Sequence, residues 1–410
     1  MKKKLSIKET IFLSSMLFGL FFGAGNIIFP VYMGQMAGKN VWIAIIGFLV
    51  TGVGLPLLGV AAIGISKSTG LFDLSSNSVG KKYGKIFTTL LYLTIGPFFA
   101  IPRCATVPFT TGIEPMLHGK NTFLPLAIFS LIFFLIVLWF SLKPGKILVY
   151  VGKVLNPLFL ICLAVLILTA LFNPMGNISQ ITPDVTYKTG TFFRGFLEGY
   201  NTMDALAGLA FGIVVVNVIK GLGIEDPVDI AKSTVKAGIG SSIIMAVIYG
   251  SITIVGVQSR GLFATSSNGG EALTGIAHHY FGSFGSIMLS VIITLACLKT
   301  SIGLITSCSE TFEELYPSIP RYKTLAIIFC IVSFLIANLG LSSIISYSIP
   351  VLMFLYPLAI TLMVLALLGK LFANDKRVYI SVTIFTLFAA FIDFLRNLPE
   401  GTQSIIHDKG

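Results

Sequence analysis

The chain has 410 residues, 55% hydrophobic and 11% charged, with a formal net charge of +11 and a mean hydropathy of +0.92. Soluble domains carry about 25% charged residues, so this is the composition of a membrane protein; the apolar runs are continuous and do not alternate, which excludes a membrane β-barrel. The basic residues lie in short loops with no stripe of interleaved aromatics, which excludes nucleic acid as a partner.

The first apolar run starts near Ile11, after Lys2, Lys3 and Lys4, and continues for about 25 residues, too long for a signal-peptide core; it reads as a retained helix. A helix needs about 20 apolar residues to cross the roughly 30 Å hydrocarbon core. Eleven stretches qualify, at about 11–36, 42–66, 86–112, 123–141, 147–172, 193–218, 236–258, 284–308, 324–341, 344–368 and 377–396. The fold class is therefore an all-α polytopic membrane protein of about 11 spans, in contact with membrane lipids. Connections are short, so residues 1–396 form a single transmembrane domain, followed by a polar tail over 397–410. With the N-terminus in the cytoplasm, nineteen Lys and Arg fall on the inner side and seven on the outer, the asymmetry of the positive-inside rule. The Gly- and Ser-rich segment 259–283 is an outer loop or a short re-entrant or surface helix. Five scattered cysteines and four histidines offer no metal cluster.

Two spans are interrupted in the same way. The first reads Phe18-Gly19-Leu20-Phe21-Phe22-Gly23-Ala24-Gly25-Asn26, and the sixth Glu198-Gly199-Tyr200-Asn201-Thr202-Met203-Asp204. Unwinding there frees backbone groups that cannot stay unpaired in lipid and so face protein, water or a ligand. Half-helix N-termini suit a carboxylate and half-helix C-termini suit a cation. Interruptions in spans one and six fit two inverted five-helix repeats, 11–172 and 193–368, plus one extra span at 377–396.

Span eight carries Cys297-Leu298-Lys299-Thr300-Ser301. Thr300 and Ser301 present adjacent hydroxyls, suited either to a hard cation or to bonding back onto the preceding turn. Lys299 is costly at mid-helix and calls for a partner; Asp204 and Glu198 are the candidates, in a gate or in a structural ion pair. Span three holds Pro97, Pro102 and Pro108 around Arg103, which predicts a kink and makes Arg103 a further gating or ion-pair candidate, with substrate contact as an alternative.

Phe22–Pro30, Gly96–Pro108 and Glu198–Ala205 together resemble the bacterial branched-chain amino acid:cation symporters, from about Ser6 to about Leu395. The resemblance implies the leucine-transporter fold and uptake of leucine, isoleucine and valine across the bacterial cytoplasmic membrane, driven by Na⁺ or by H⁺. It implies substrate contacts at Phe22, Gly23, Ala24, Gly25, Asn26, Glu198, Gly199, Tyr200 and Thr202. It implies Na⁺ ligands at Gly19, Phe22, Cys297, Thr300 and Ser301. The family usually has twelve spans, so eleven mark a short or shortened member, and Lys299 is a departure beside the expected cation ligands. No nucleophile–base set or metal motif indicates an enzyme, and no filter repeat indicates a channel. A transporter-derived sensor that moves no substrate is the remaining alternative.

Overall fold

The computed structural model describes residues 5–117, 121–143, 153–318 and 321–398. The expected tail from 399, residues 147–152 of the fifth span, and Lys2–Lys4, Lys120, Lys146 and Lys409 lie outside the described residues.

Helix α1 (Ile7–Phe21) opens with a capping box, in which Ser6 Oγ accepts from the Glu9 N–H at 3.2 Å and Glu9 accepts from the Ser6 N–H at 2.8 Å. After a break, α2 (Ala24–Ala37) runs through Gly38–Asn40 into α3 (Val41–Leu49), a π-helical turn at Val50–Gly54, and α4 (Leu55–Ser66). Then come α5 (Leu71–Ser78), α6 (Lys81–Leu93), α7 (Ala100–Gly112), α8 (Phe123–Ser141) and α9 (Asn156–Phe172). The second broken helix comprises α10 (Thr191–Tyr200), α11 (Asp204–Ala210) and α12 (Gly212–Gly221). The remainder are α13 (Pro227–Ser259), α14 (Gly269–Leu315), α15 (Tyr322–Ala337), α16 (Leu341–Leu368) and α17 (Lys376–Arg396).

Every apolar stretch expected from the sequence is helical where described, apart from breaks inside 11–36, 86–112 and 193–218 and the end of 324–341. By length and hydropathy, eight described helices can cross a bilayer, nine if the pair α11–α12, bent by 42°, counts as one. The count is below eleven because α2 is continuous with α3 and α4, and because α15 has only 16 residues. Segment 259–283 is not a plain loop: α14 begins at Gly269 and kinks at Gly282, whose φ of +57° and ψ of −145° are open to glycine. The predicted kink of span three falls at Gly96–Phe99, where Gly96 leaves the helical region with ψ −123°. Pro97 sits in this break and Pro102 in the first turn of α7, where a missing N–H costs nothing.

Each broken helix packs along the helix that follows the other one. Helices α1 and α2 lie on α13, and α10 and α11 lie on α3 and α4. Close backbone approach makes both pairings possible. A Cβ on Gly34 would stand 2.2 Å from the Thr253 carbonyl oxygen, and one on Gly195 would stand 2.2 Å from that of Ala44. The flanks expose Trp42, Leu124, Trp139, Phe172, Val247 and Phe385, an apolar exterior matched to lipid.

Candidate functional site

At the first break, the Phe22 N–H closes α1 on the Phe18 carbonyl at 2.8 Å. Gly23 is extended, and its N–H donates to Asn26 Oδ1 at 2.8 Å. That N–H would continue the helix onto the Gly19 carbonyl, so the carbonyls at the end of α1 are released from the ladder. At the second break, Met203 takes a left-handed φ of +64°, a strained position for a side chain with a Cβ. Side chains take carbonyls there: Tyr356 Oη donates at 2.8 Å to Tyr200 O, which also accepts from the Met203 N–H at 3.0 Å, and Arg103 Nη2 donates to Asn201 O at 3.0 Å.

Asn26 joins the two breaks. Its Nδ2 donates to Asp204 Oδ2 at 2.6 Å, and the Tyr249 hydroxyl donates to the same oxygen at 2.6 Å. Asn26 Nδ2 also contacts the Tyr249 oxygen. Thr202 Oγ1 accepts from the Asp204 N–H at 3.3 Å and donates to Gly199 O at 2.8 Å. Arg103 arrives from the third break, with its guanidinium 5.4 Å from the centre of the Phe29 ring.

Between the breaks lies a cavity of about 20 Å³, lined by Gly23, Ala24, Gly25, Asn26, Arg103, Thr202, Asp204 and Thr300 among others. That is room for about one water, so a larger ligand requires the lining helices to part. Of the residues expected around the substrate, these include Gly23, Ala24, Gly25, Asn26 and Thr202. Phe22 turns away into an aromatic cluster, with ring centroids 5.0 Å from Phe18, 5.3 Å from Phe159 and 5.7 Å from Tyr249. Glu198 points elsewhere, accepting from Asn201 Nδ2 at 3.1 Å. Gly199 is pressed on Thr51, where a Cβ would lie 1.9 Å from Oγ1. Tyr200 stacks on Tyr356 at 4.1 Å.

Thr300 faces the first break: a Cβ on Gly23 would lie 3.0 Å from Thr300 Oγ1. Thr300 Oγ1 and Ser301 Oγ are sealed from solvent and form no hydrogen bond. The alternative of bonding back onto the helix is thus not realised, although the Ser301 hydroxyl lies beside the weakly polar Cys104 thiol. Cys297 is fully buried within unbroken helix. Lys299 pairs with neither expected carboxylate. One position along from Thr300, it projects about 100° around the helix, towards α9 and α1. There Nζ donates to Asn156 Oδ1 at 2.8 Å and stands 3.7 Å from the Phe159 ring centre and 5.6 Å from that of Phe18. Asn156 in turn donates to Ser15 Oγ at 2.7 Å. Sequence reasoning missed Asn156, Tyr249 and Tyr356. The only signal was a polar group inside each apolar run.

An apolar-sheathed helix bundle with two interrupted helices joined over a buried polar cluster, and a hydroxyl left open beside one break, is the scaffold of a membrane transporter. Comparison with known proteins makes this specific: the family described as branched-chain amino acid transport protein matches residues 6–408, and the chain belongs to it. It is 52% identical to the branched-chain amino acid permease BrnQ of Lactobacillus delbrueckii subsp. lactis, over 98% of this chain and 90% of the relative. It is 44% identical to the permease BraB of Bacillus subtilis, over 97% and 88%. Among solved structures, MhsT in complex with L-phenylalanine superposes with a TM-score of 0.63 at 15% identity, covering 97% of this chain and 100% of MhsT. The nucleobase-cation-symport-1 family transporter Mhp1, in a closed conformation with bromovinylhydantoin bound, gives 0.62 at 14%, covering 95% and 93%. These likenesses show a leucine-transporter-like fold. The chain is a multi-pass bacterial inner-membrane protein and a secondary transporter of its family.

Proposed function

We propose that this chain imports leucine, isoleucine and valine by symport with Na⁺, through alternating access around the two breaks. The observation that carries the reading is the buried, unpartnered hydroxyl of Thr300 facing Gly23, with that of Ser301 one position along, beside only the weakly polar Cys104 thiol. A buried hydroxyl without a partner costs about 1–3 kcal/mol, and Na⁺ supplies what those oxygens lack. The released Gly19 carbonyl, with those of Phe22 and Cys297, completes an oxygen set of the kind hard cations take. The substrate head group sits at Gly23, Ala24, Gly25, Asn26 and Thr202. Phe22, Glu198, Gly199 and Tyr200 act behind it, positioning the breaks. Lys299 is a structural tether joining α14 to α9.

The reciprocal packing of each broken helix on the successor of the other supports two inverted repeats, 11–172 and 193–368, within eleven spans of which 377–396 is additional, and the Lys and Arg distribution supports an N-terminus in the cytoplasm. A larger cavity of about 780 Å³ includes Thr106, Thr110, Glu114 and Glu271. Thr106 and Thr110 follow Arg103 by three and seven residues and share its face of α7, so this cavity serves as the entry vestibule. An inward-negative potential adds about 2.3 kcal/mol per cation per 100 mV. Aliphatic pockets separate such side chains by only about 1–3 kcal/mol per methylene, so the three substrates compete.

Uptake of labelled leucine into proteoliposomes under an imposed Na⁺ gradient, and separately under a proton gradient, tests this. Accumulation with Na⁺ alone is expected. Accumulation with protons alone would move the coupling role to the buried Asp204 carboxyl. No accumulation by folded protein would leave the sensor reading.

A further inference from the structure

We infer that Arg103 and Asp204 together read the zwitterionic head group: the guanidinium takes the α-carboxylate and the carboxylate takes the α-ammonium. The inference rests on the amino-acid transport proposed above and adds the residues that recognise the class. Both side chains line the central cavity, and both are more than nine-tenths buried, Arg103 at 4% exposure and Asp204 at 1%. Each is held by neutral groups. Arg103 donates to the Asn201 carbonyl and leans on the Phe29 ring, while Asp204 accepts from Asn26 and Tyr249, both on Oδ2. Two buried charges of opposite sign, each without a direct counter-ion, carry a desolvation cost that neutral dipoles offset only in part. A ligand bearing one charge of each sign satisfies both at once.

The geometry places the two charges within the reach of one small ligand. A Cβ on Gly25 would lie 3.1 Å from Arg103 Nη2, and the next residue, Asn26, bonds Asp204 at 2.6 Å. On the facing chain, Arg103 holds Asn201 O, and Asp204 stands three residues further on. The absence of a side chain at Gly25 lets the guanidinium stand against the first break, so that a carboxylate entering as the lining helices part meets it there. This accounts for the position of Arg103, which a gate at the mouth of the pathway would not require at the meeting point of the two breaks.

Competition against labelled leucine on purified full-length protein tests the assignment, using two analogues of the same skeleton. α-Ketoisocaproate lacks the ammonium and isoamylamine lacks the carboxylate. Wild-type protein should prefer leucine over either by at least ~30-fold, the scale of leaving a buried charge unpaired. In Asp204→Asn the preference for leucine over the keto acid should collapse, while preference over the amine persists. In Arg103→Gln the pattern should reverse. A variant that weakens leucine and both analogues alike, or leaves leucine unchanged, overturns the assignment. Should either variant fail to fold, Asp204→Glu and Arg103→Lys keep the charges and should keep both preferences; their loss in a folded protein would equally overturn it. Wild-type protein that binds no leucine overturns the transport reading itself, and the head-group assignment with it.

Discussion

Replacing Thr300 by Val and Ser301 by Ala separates a cation site from a structural pair of hydroxyls, because the two readings give opposite signs for stability. Both oxygens are sealed and make no hydrogen bond. Each therefore costs the Na⁺-free protein about 1–3 kcal/mol of unrecovered desolvation. Thr300→Val keeps nearly the same volume against Gly23, and Ser301→Ala loses one atom, so packing changes little. In Na⁺-free buffer the double variant should unfold at the same temperature as wild type or higher. Saturating Na⁺ at a hundred times its Kd should stabilise wild type by about 2.7 kcal/mol, and this increment should vanish in the variant. The assay is thermal unfolding of detergent-solubilised protein across a Na⁺ titration, with choline replacing Na⁺ to hold ionic strength. A variant that unfolds earlier without Na⁺ yet keeps the Na⁺ increment would refute the reasoning, because it would make the hydroxyls ordinary packing groups.

Gly23→Ala places a methyl 3.0 Å from Thr300 Oγ1 and 3.2 Å from its Cβ, forcing α1 and α14 apart at a cost of about 1–3 kcal/mol. Na⁺ affinity should fall by at least tenfold, and adding Thr300→Ser, which removes the Cγ2 contact, should restore part of it; no change in Na⁺ titration for the single variant would count against the site. Lys299→Met removes an ammonium held by Asn156 and two aromatic faces. Loss of that buried charge offsets the unpaired Asn156 oxygen, so thermal stability should change by no more than about 1–2 kcal/mol and Na⁺-driven leucine uptake should persist. Abolished uptake in folded protein would show that Lys299 takes part in coupling.

The breaks were legible because unwinding inside an apolar run demands residues that serve nothing else there. Gly23 and Gly25 permit extended backbone and close approach, and Asn26 supplies the side chain that caps the freed N–H. The same logic located the break after Tyr200, but not the direction of each side chain around it. Glu198 sits only four residues before Thr202, yet the last turn of α10 carries it to Asn201 and away from the cavity. Phe22, adjacent to Gly23, likewise turns into the Phe18–Phe159 cluster. The partner of Lys299 was not legible, since Asn156 lies 143 residues away and only the packed bundle decides which polar group it meets. Tyr249 reads as one more aromatic in an apolar helix until its hydroxyl is seen on Asp204. Periodicity identifies what is buried. Which buried polar groups face one another is set by helix rotations that a single sequence does not encode locally.

The chain of contacts from the hydroxyls to the second break gives the coupling a route that can be cut at one atom. Thr300 bears on Gly23, the Gly23 N–H is held by Asn26 Oδ1, and Asn26 Nδ2 holds Asp204. A cation bound as proposed at Thr300 would re-seat Gly23 and, through Asn26, would set the position of Asp204. Asn26→Asp keeps the acceptor for the Gly23 N–H but replaces the donor to Asp204 with a second carboxyl, 2.6 Å from the first in the wild-type geometry. The first half of the link survives and the second is reversed in sign. Coupling between two ligands is reciprocal and typically amounts to a 5- to 150-fold change in affinity. In wild type, leucine should therefore tighten Na⁺ binding by about that range. In Asn26→Asp, Na⁺ should still bind, but the factor by which leucine changes its affinity should fall towards one. Titrating Na⁺ with and without saturating leucine measures both. An undiminished coupling factor in the variant would mean that the two sites communicate through α13, which packs on the first broken helix and carries the Tyr249 hydroxyl to Asp204, and not through Asn26.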